Sequence, residues 1–234
     1  MTKKRGQRRT RKATPLKWCI CTEGDTEALY LTAYCEELGI RHLVDINPHP
    51  FSNPSGKGCG EQHLRLINKV ARFNKQSNYE KVFAVHDFDE DGKASVESFD
   101  SATEVGGVST EMGICSVIYS IPSFEYWLLL HNNPLSDSLS RQRCFQKALN
   151  YVNDVRKQRS EVPLRKRDFK TNPDLYSYFG GKNGAESAKK HAKARWSEEG
   201  LENPPHKPSS VRPSTNFYLL LDELEKKAKS EKQN

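Results

Sequence analysis

The run Leu16-Lys17-Trp18-Cys19-Ile20-Cys21-Thr22-Glu23-Gly24-Asp25-Thr26-Glu27-Ala28-Leu29-Tyr30 decides the fold. Leu16 to Cys21 reads as a short buried strand, Thr22-Glu23-Gly24-Asp25 breaks it, and a helix follows from Thr26 to Leu38, with Leu29 and Ala33 among its apolar positions and Gly39 as its cap. Working outward, Leu43 to Ile46 suggests a second strand, and a Pro- and Gly-rich loop (Pro48, Pro50, Pro54, Gly56, Gly58, Gly60) precedes a helix over Glu61 to Asn74. Lys81 to Val85 and Ile114 to Tyr119 supply two further strands, and Ser120-Ile121-Pro122-Ser123 leads into a helix containing Phe124, Glu125 and Trp127. Strands alternating with helices predict an α/β fold, a mostly parallel four-stranded sheet with helices on both faces. Beyond Leu135 no strand pattern recurs. The remainder reads as helical, interrupted at Pro204, Pro205 and Pro208, and closes on a helix over Ser214 to Lys229 with a stripe of Phe217, Leu220, Leu221 and Leu224. The expected division is a basic arm over 1–15, an α/β domain over 16–135 and a mainly helical extension over 136–234, packed on or beside it.

Composition limits the function classes. Apolar residues are 35% of the 234 and charged residues 29%, which fits a folded soluble chain. No apolar run approaches the length of a bilayer span. No apolar segment of the signal-peptide kind follows the basic N-terminus, so a cytoplasmic protein is expected. The six cysteines form no C-x-x-C pair and read as reduced, buried small hydrophobes; Cys19 and Cys21 share a strand face without a second ligand pair at zinc-like spacing. The net charge of +7 is carried by the N-terminal arm, where Lys3, Lys4, Arg5, Arg8, Arg9, Arg11, Lys12 and Lys17 precede the first acid, Glu23. Such a block serves either as a solvated tail or as a neutraliser of phosphates. A second basic stretch runs from Arg156 to Arg195, interleaved with Phe169, Tyr176, Tyr178, Phe179 and Trp196, aromatics better suited to a core than to stacking on bases. Two basic segments make nucleic acid, RNA or DNA, the expected partner.

The chemistry-bearing residues are acids. In an open parallel sheet ligands bind beyond the carboxyl ends of the strands, and there stand Glu23 after the first strand and Asp87 and Asp89 after the third, with Glu27 one helical turn beyond Glu23. Bringing four carboxylates together demands raised pKa values or a bound cation. Hard oxygen donors without a histidine cluster favour Mg²⁺ or Mn²⁺. The run Asp87-x-Asp89-x-Asp91-Gly92 matches the first half of a calcium loop, but Ser98 stands where that loop needs a glutamate. Lys182, inside Gly180-Gly181-Lys182-Asn183-Gly184, is the candidate cation for a transition state if that segment is a flexible turn.

Three segments together carry a resemblance: Cys21-Thr22-Glu23-Gly24-Asp25-Thr26-Glu27-Ala28-Leu29-Tyr30, then His86-Asp87-Phe88-Asp89-Glu90-Asp91-Gly92, then Ile121-Pro122-Ser123-Phe124-Glu125-Tyr126-Trp127-Leu128-Leu129-Leu130-His131, with fainter echoes at Asn203-Pro204 and Arg212-Pro213-Ser214-Thr215. In this order they resemble the RloB family, itself similar to Toprim proteins, whose fold serves topoisomerases, bacterial primases and OLD-type nucleases. The resemblance implies a Toprim-like domain in which Glu23, Asp87 and Asp89 are the metal-binding acids and Glu27 the second, helix-borne glutamate. It implies a Mg²⁺- or Mn²⁺-dependent nuclease acting on RNA or DNA, tRNA included, and a place in abortive-infection phage defence beside a separately encoded ATPase. The alternatives are a non-catalytic regulator of that ATPase and a primase-like nucleotidyl transferase. Within the third motif Glu125 has three possible roles: a group supporting the ligands, a metal ligand at the fourth strand, or a charge at a helix N-terminus. His131 is a candidate to orient it, or a partner for the helix C-terminus. The sequence leaves the oligomeric state open.

Overall fold

The structure is a computed structural model and describes residues 16–48, 79–88, 96, 99–100, 109–110, 113–137, 139–198, 200 and 208–233, with backbone alone at 109–110 and 113–115. Asp89 and the helix expected over Glu61 to Asn74 lie outside the described residues, as does the basic arm over 1–15.

The first strand, β1 (Trp18–Thr22), is buried along its whole length, as a parallel strand covered on both faces must be. It leads through the helix α1 (Asp25–Glu37) to β2 (Val44–Pro48). Two further strands, β3 (Lys81–Asp87) and β5 (Gly113–Ile121), complete the parallel set in the spatial order β2-β1-β3-β5. Register is fixed by pairs such as Ile20↔Ile46, Ile20↔Phe83 and Val85↔Ile118. The far edge of β5 carries two short antiparallel strands, β4 (Ser109–Thr110) at one end and β6 (Ser214–Thr215) at the other. The core lies chiefly on the face presenting Trp18, Ile20, Phe83, Val85 and Ile118; Cys19, Cys21, Val82 and Ala84, on the opposite face, are buried too. Cys19, Cys21, Cys35 and Cys144 are free and buried, as expected of reduced hydrophobes.

On α1 the buried stripe runs through Thr26, Glu27, Tyr30, Leu31, Tyr34 and Cys35, with Leu29 and Ala33 only half-buried beside it. Gly39, at φ +75°, ends the helix, and its amide donates to the Glu36 carbonyl at 3.0 Å. After β5 the chain forms α2 (Phe124–Leu129), α3 (Arg141–Gln158), α4 (Lys166–Lys170), α5 (Leu175–Tyr178), α6 (Gly181–Glu198) and α7 (Phe217–Glu231). The predicted stripe Phe217, Leu220, Leu221 and Leu224 is buried throughout. So are Phe169, Tyr176, Tyr178, Phe179 and Trp196, which makes them core residues. Buried Lys189 on α6 ties that helix to α7 through Asp222 at 3.0 Å and Glu225, and Tyr34 donates to Glu225 at 2.5 Å. No described helix is long and apolar enough to cross a membrane.

The expectation that no strand follows Leu135 is corrected by β6. It is two residues long, too short for any periodicity, and side chains hold it in place. Asn216 accepts from the Tyr119 amide at 2.7 Å and donates to the Val117 carbonyl at 3.1 Å, while the Thr215 hydroxyl donates to the Tyr119 carbonyl at 2.8 Å. The last helix therefore begins at Phe217, three residues later than predicted.

Candidate active site

From β1 the chain crosses to β2 on one side, whereas β3 has β5 on the other, so the carboxyl ends of β1 and β3 flank a switch point of the kind where open α/β sheets bind ligands. Two bonds join those ends. The Glu23 amide donates to the Val85 carbonyl at 3.0 Å, and the Asp87 amide donates to Glu23 Oε2 at 3.1 Å. A cavity of about 280 Å³ opens here, lined by Glu23, Gly24, Asp25, Thr26, Glu27, Asp87, Phe124, Glu125, Arg141 and Lys170. The fold thus brings together four of the residues singled out from the sequence: Glu23, Glu27, Asp87 and Glu125.

Each acid is placed by a local device. Glu27 stands in the first turn of α1, where a negative charge meets the positive end of the helix dipole, yet it is only 5% exposed. Gly24, just before that helix, leaves the space its carboxylate occupies: a Cβ on Gly24 would lie 2.8 Å from Glu27 Oε2. Glu125 belongs to the first turn of α2, not to a strand end. Ser123 precedes that helix and donates its hydroxyl to Glu125 Oε2 at 2.6 Å, which fixes the carboxylate toward the cleft.

The electrostatics follow from this crowding. Burial pushes the Glu27 carboxyl up to about 8, and Glu125 and Glu23 push the same way against the attraction of Lys170. Asp87 is held well above the ordinary carboxylate range, first by burial and then by Glu27, Glu23 and Glu125. Arg141 Nη2 lies 3.7 Å from Asp87 Oδ2, but a single partner, itself part-exposed, does not offset the loss of water and three like charges. Among the described residues no three Asp, Glu, His or Cys side chains stand close enough together to hold a metal ion as they are. The donor chemistry nonetheless suits one: acids at five positions, Glu23, Asp25, Glu27, Asp87 and Glu125, with no imidazole or thiolate in the lining.

Two cations of the cleft were not assigned a site role from sequence. Arg141 belongs to no motif, and Lys170 counted only as one charge of the basic stretch. Their signals are faint: Arg141 follows Ser140, whose hydroxyl accepts from the Arg143 amide at 3.4 Å as an N-cap, and Lys170 ends a five-residue helix.

Lys182 is elsewhere. It is exposed in the first turn of α6 and does not line the cleft. Of the glycines around it, Gly180 and Gly181 take the left-handed φ values of +86° and +57° that lead into α6, and Gly184 serves packing. A Cβ at Gly184 would meet the Phe179 carbonyl oxygen at 1.9 Å and His131 Nδ1 at 2.6 Å, so only glycine lets α6 approach. His131 does not orient Glu125 either. Its Nδ1–H donates to the Phe179 carbonyl at 2.8 Å and its Nε2 accepts from the Tyr30 hydroxyl at 3.0 Å, an arrangement that requires the neutral ring. Burial pushes its pKa down to about 4.

Comparison with curated proteins and with solved structures gives no match. A family model described as "RloB-like protein" matches residues 18–224, from the first residue of β1 into α7. The three motifs and this match over most of the chain agree, and the chain belongs to the RloB-like family.

Proposed function

We propose that this protein is a Toprim-type, Mg²⁺- or Mn²⁺-dependent nuclease that hydrolyses phosphodiester bonds of RNA or DNA. The observation that carries this reading is the convergence of Glu23, Glu27, Asp87 and Glu125 on one cleft, with Arg141 and Lys170 on its wall. An acidic loop with no ligand gains nothing from burying Glu27 and Asp87, since burial penalises the charged form of each and raises its pKa. Glu23, Glu27 and Asp87 would hold the ion, with Asp89, two residues on in the sequence, completing the set and Glu125 supporting it. The ion would supply an acidified water and neutralise charge on the leaving oxygen. Arg141 and Lys170 would bind the non-bridging oxygens of the phosphodiester and stabilise the charge that builds there. They take the part that sequence reading gave to Lys182.

Membership of the RloB-like family suggests the setting, antiviral defence of the abortive-infection kind beside a separately encoded ATPase. The test is direct. The purified chain is incubated with labelled tRNA, single-stranded RNA and single- and double-stranded DNA in Mg²⁺, Mn²⁺ or EDTA, alongside Asp87→Asn. Cleavage that needs the metal and is lost in Asp87→Asn is the expected result. No metal-dependent cleavage of any of these, alone or with the ATPase, would leave a binding or regulatory module instead.

A further inference from the structure

The basic stretch from Arg156 to Arg195 divides sharply once folded. Arg156 pairs with Glu161 at 2.9 Å, Arg165 and Arg167 both pair with Asp168, Lys189 and Lys193 pair with Asp222, and Arg195 reaches Glu198 at 3.6 Å. Those charges are spent inside the protein or on its own surface. Lys157, Arg159, Lys166, Lys170, Lys182 and Lys190 are exposed and make no ion pair among the described residues, and of these Lys170 lines the cleft, with Lys166 on the same short helix.

Their support is rigid. Phe169, fully buried between them, packs edge-on against Phe145 at 5.4 Å between ring centres. The ammonium groups of Lys166 and Lys170 lie over that same Phe145 ring, at 5.2 and 6.0 Å from its centre. The Lys170 carbonyl accepts from the Thr26 hydroxyl at 3.2 Å, which fastens the end of α4 to the start of α1 beside Glu27. Two lysines four apart on a helix share one face and are separated by about 6 Å along its axis. One of them, Lys170, lines the cleft; the other stands one helical turn outside it.

We propose that α4 is the track by which a single strand of nucleic acid enters the cleft, Lys170 meeting the phosphate to be cut and Lys166 the adjacent phosphate on the same strand. The inference rests on the reading of the cleft as a phosphodiesterase site and adds the direction of the substrate. A spacing of one helical turn suits neighbouring phosphates of an extended strand. A cavity of about 280 Å³ admits a phosphodiester and its ions but not a duplex. Contact through phosphates alone selects no sequence.

The test measures binding separately from cutting. Fluorescein-labelled oligothymidylate and oligouridylate of equal length are titrated with the full chain in EDTA over a range of salt, by fluorescence anisotropy. Lys166→Glu should weaken binding of both by about tenfold or more, and Lys166→Gln by less, flattening the salt dependence by about 0.7 in the log–log slope, as one lost phosphate contact on a single strand requires. Arg167→Glu and Lys182→Glu change the net charge as Lys166→Glu does, at positions turned to Asp168 or far from the cleft, and should stay within about twofold of the parent. Equal losses in all three variants would reduce the effect to net charge and overturn the track, as would unchanged binding in Lys166→Glu or a parent that binds neither strand. A parent that binds and shows the Lys166 effect yet never cuts would keep the track and remove the nuclease.

Discussion

Glu27→Gln is the substitution on which the cleft can be judged without knowing the substrate. Glu27 is 5% exposed and faces Glu23, Glu125 and Asp87, opposed by a hydrogen bond from its own backbone amide and by Lys170. Its carboxyl titrates at about 8 in the metal-free fold, against 4.5 in a free chain. The folded state therefore holds a proton that the unfolded state releases, and stability falls as the pH rises from about 4.5 to about 8. At about 1.4 kcal/mol per pH unit, the loss reaches about 3 kcal/mol by pH 7. Glutamine has the shape of the protonated acid and no proton to lose. In EDTA, Glu27→Gln should match the parent near pH 4.5 and exceed it at pH 7 by about 3 kcal/mol, roughly 6–12 °C in Tm for a chain of this size. Asp87 contributes a slope of the same sign to both proteins, weaker in the variant because the Glu27 charge that helps raise it is gone, so the difference between them reports Glu27 together with its repulsion of Asp87. Added Mn²⁺ should reverse the order, because the ion binds the folded parent and stabilises it by mass action, while the variant has lost a ligand. Urea denaturation at pH 5, 6, 7 and 8, with EDTA or Mn²⁺, measures all of this. A variant that keeps the parent's pH slope in EDTA would refute the burial argument. Equal metal responses would refute the site.

The remaining predictions concern single contacts. Lys170→Ala and Arg141→Ala should each lower kcat/KM by about a hundredfold, the loss expected when a charge-stabilising donor is removed, whereas Lys182→Ala should stay within about twofold of the parent in the same cleavage assay. Gly184→Ala should destabilise by about 3 kcal/mol or more in urea, because the clash at 1.9 Å is with backbone and outweighs the roughly 1 kcal/mol that alanine gains in a helix. Buried His131, at about 4, stays neutral while its unfolded counterpart takes up a proton below about 6.5, so stability falls as the pH drops through that window, by about 3 kcal/mol at its foot. His131→Gln should remove that component from acid denaturation curves, and an unchanged curve would place the acid-sensitive group elsewhere.

The part of the site legible in the sequence is the part that obeys a rule of parallel sheets. β1 and β3 read as apolar runs because both faces are buried, and acids placed directly after such runs can only lie at the carboxyl edge, so Glu23 and Asp87 were found. Glu27 followed by counting one helical turn. Arg141 and Lys170 were not legible, since each reaches the cleft from a helix whose position depends on packing far along the chain: α3 against α2, and α4 through Phe169 on Phe145 and Thr26 on the Lys170 carbonyl. The position of Lys182 outside the cleft is not legible because glycine has two uses. The Gly180 to Gly184 cluster looks like a mobile phosphate-binding turn, whereas Gly180 and Gly181 supply the left-handed φ that starts a helix and Gly184 lets that helix touch a backbone carbonyl. Sequence spacing alone cannot separate freedom of rotation from lack of volume.

The seam that Thr215 and Asn216 make along β5 also bears on how this protein stays out of aggregates. An open sheet offers each uncovered edge as a template for another chain. Here a residue near the C-terminus saturates the Tyr119 amide and the Val117 carbonyl with an asparagine side chain, a group that imitates a strand yet cannot extend into one. A chain cut after residue 135 would keep the parallel strands and the acids of the cleft but leave the end of β5 that β6 covers bare. Such a fragment should associate through β5 before it could be assayed, so the acidic half is best studied in the whole chain, where the closing segment acts as a built-in chaperone of the edge.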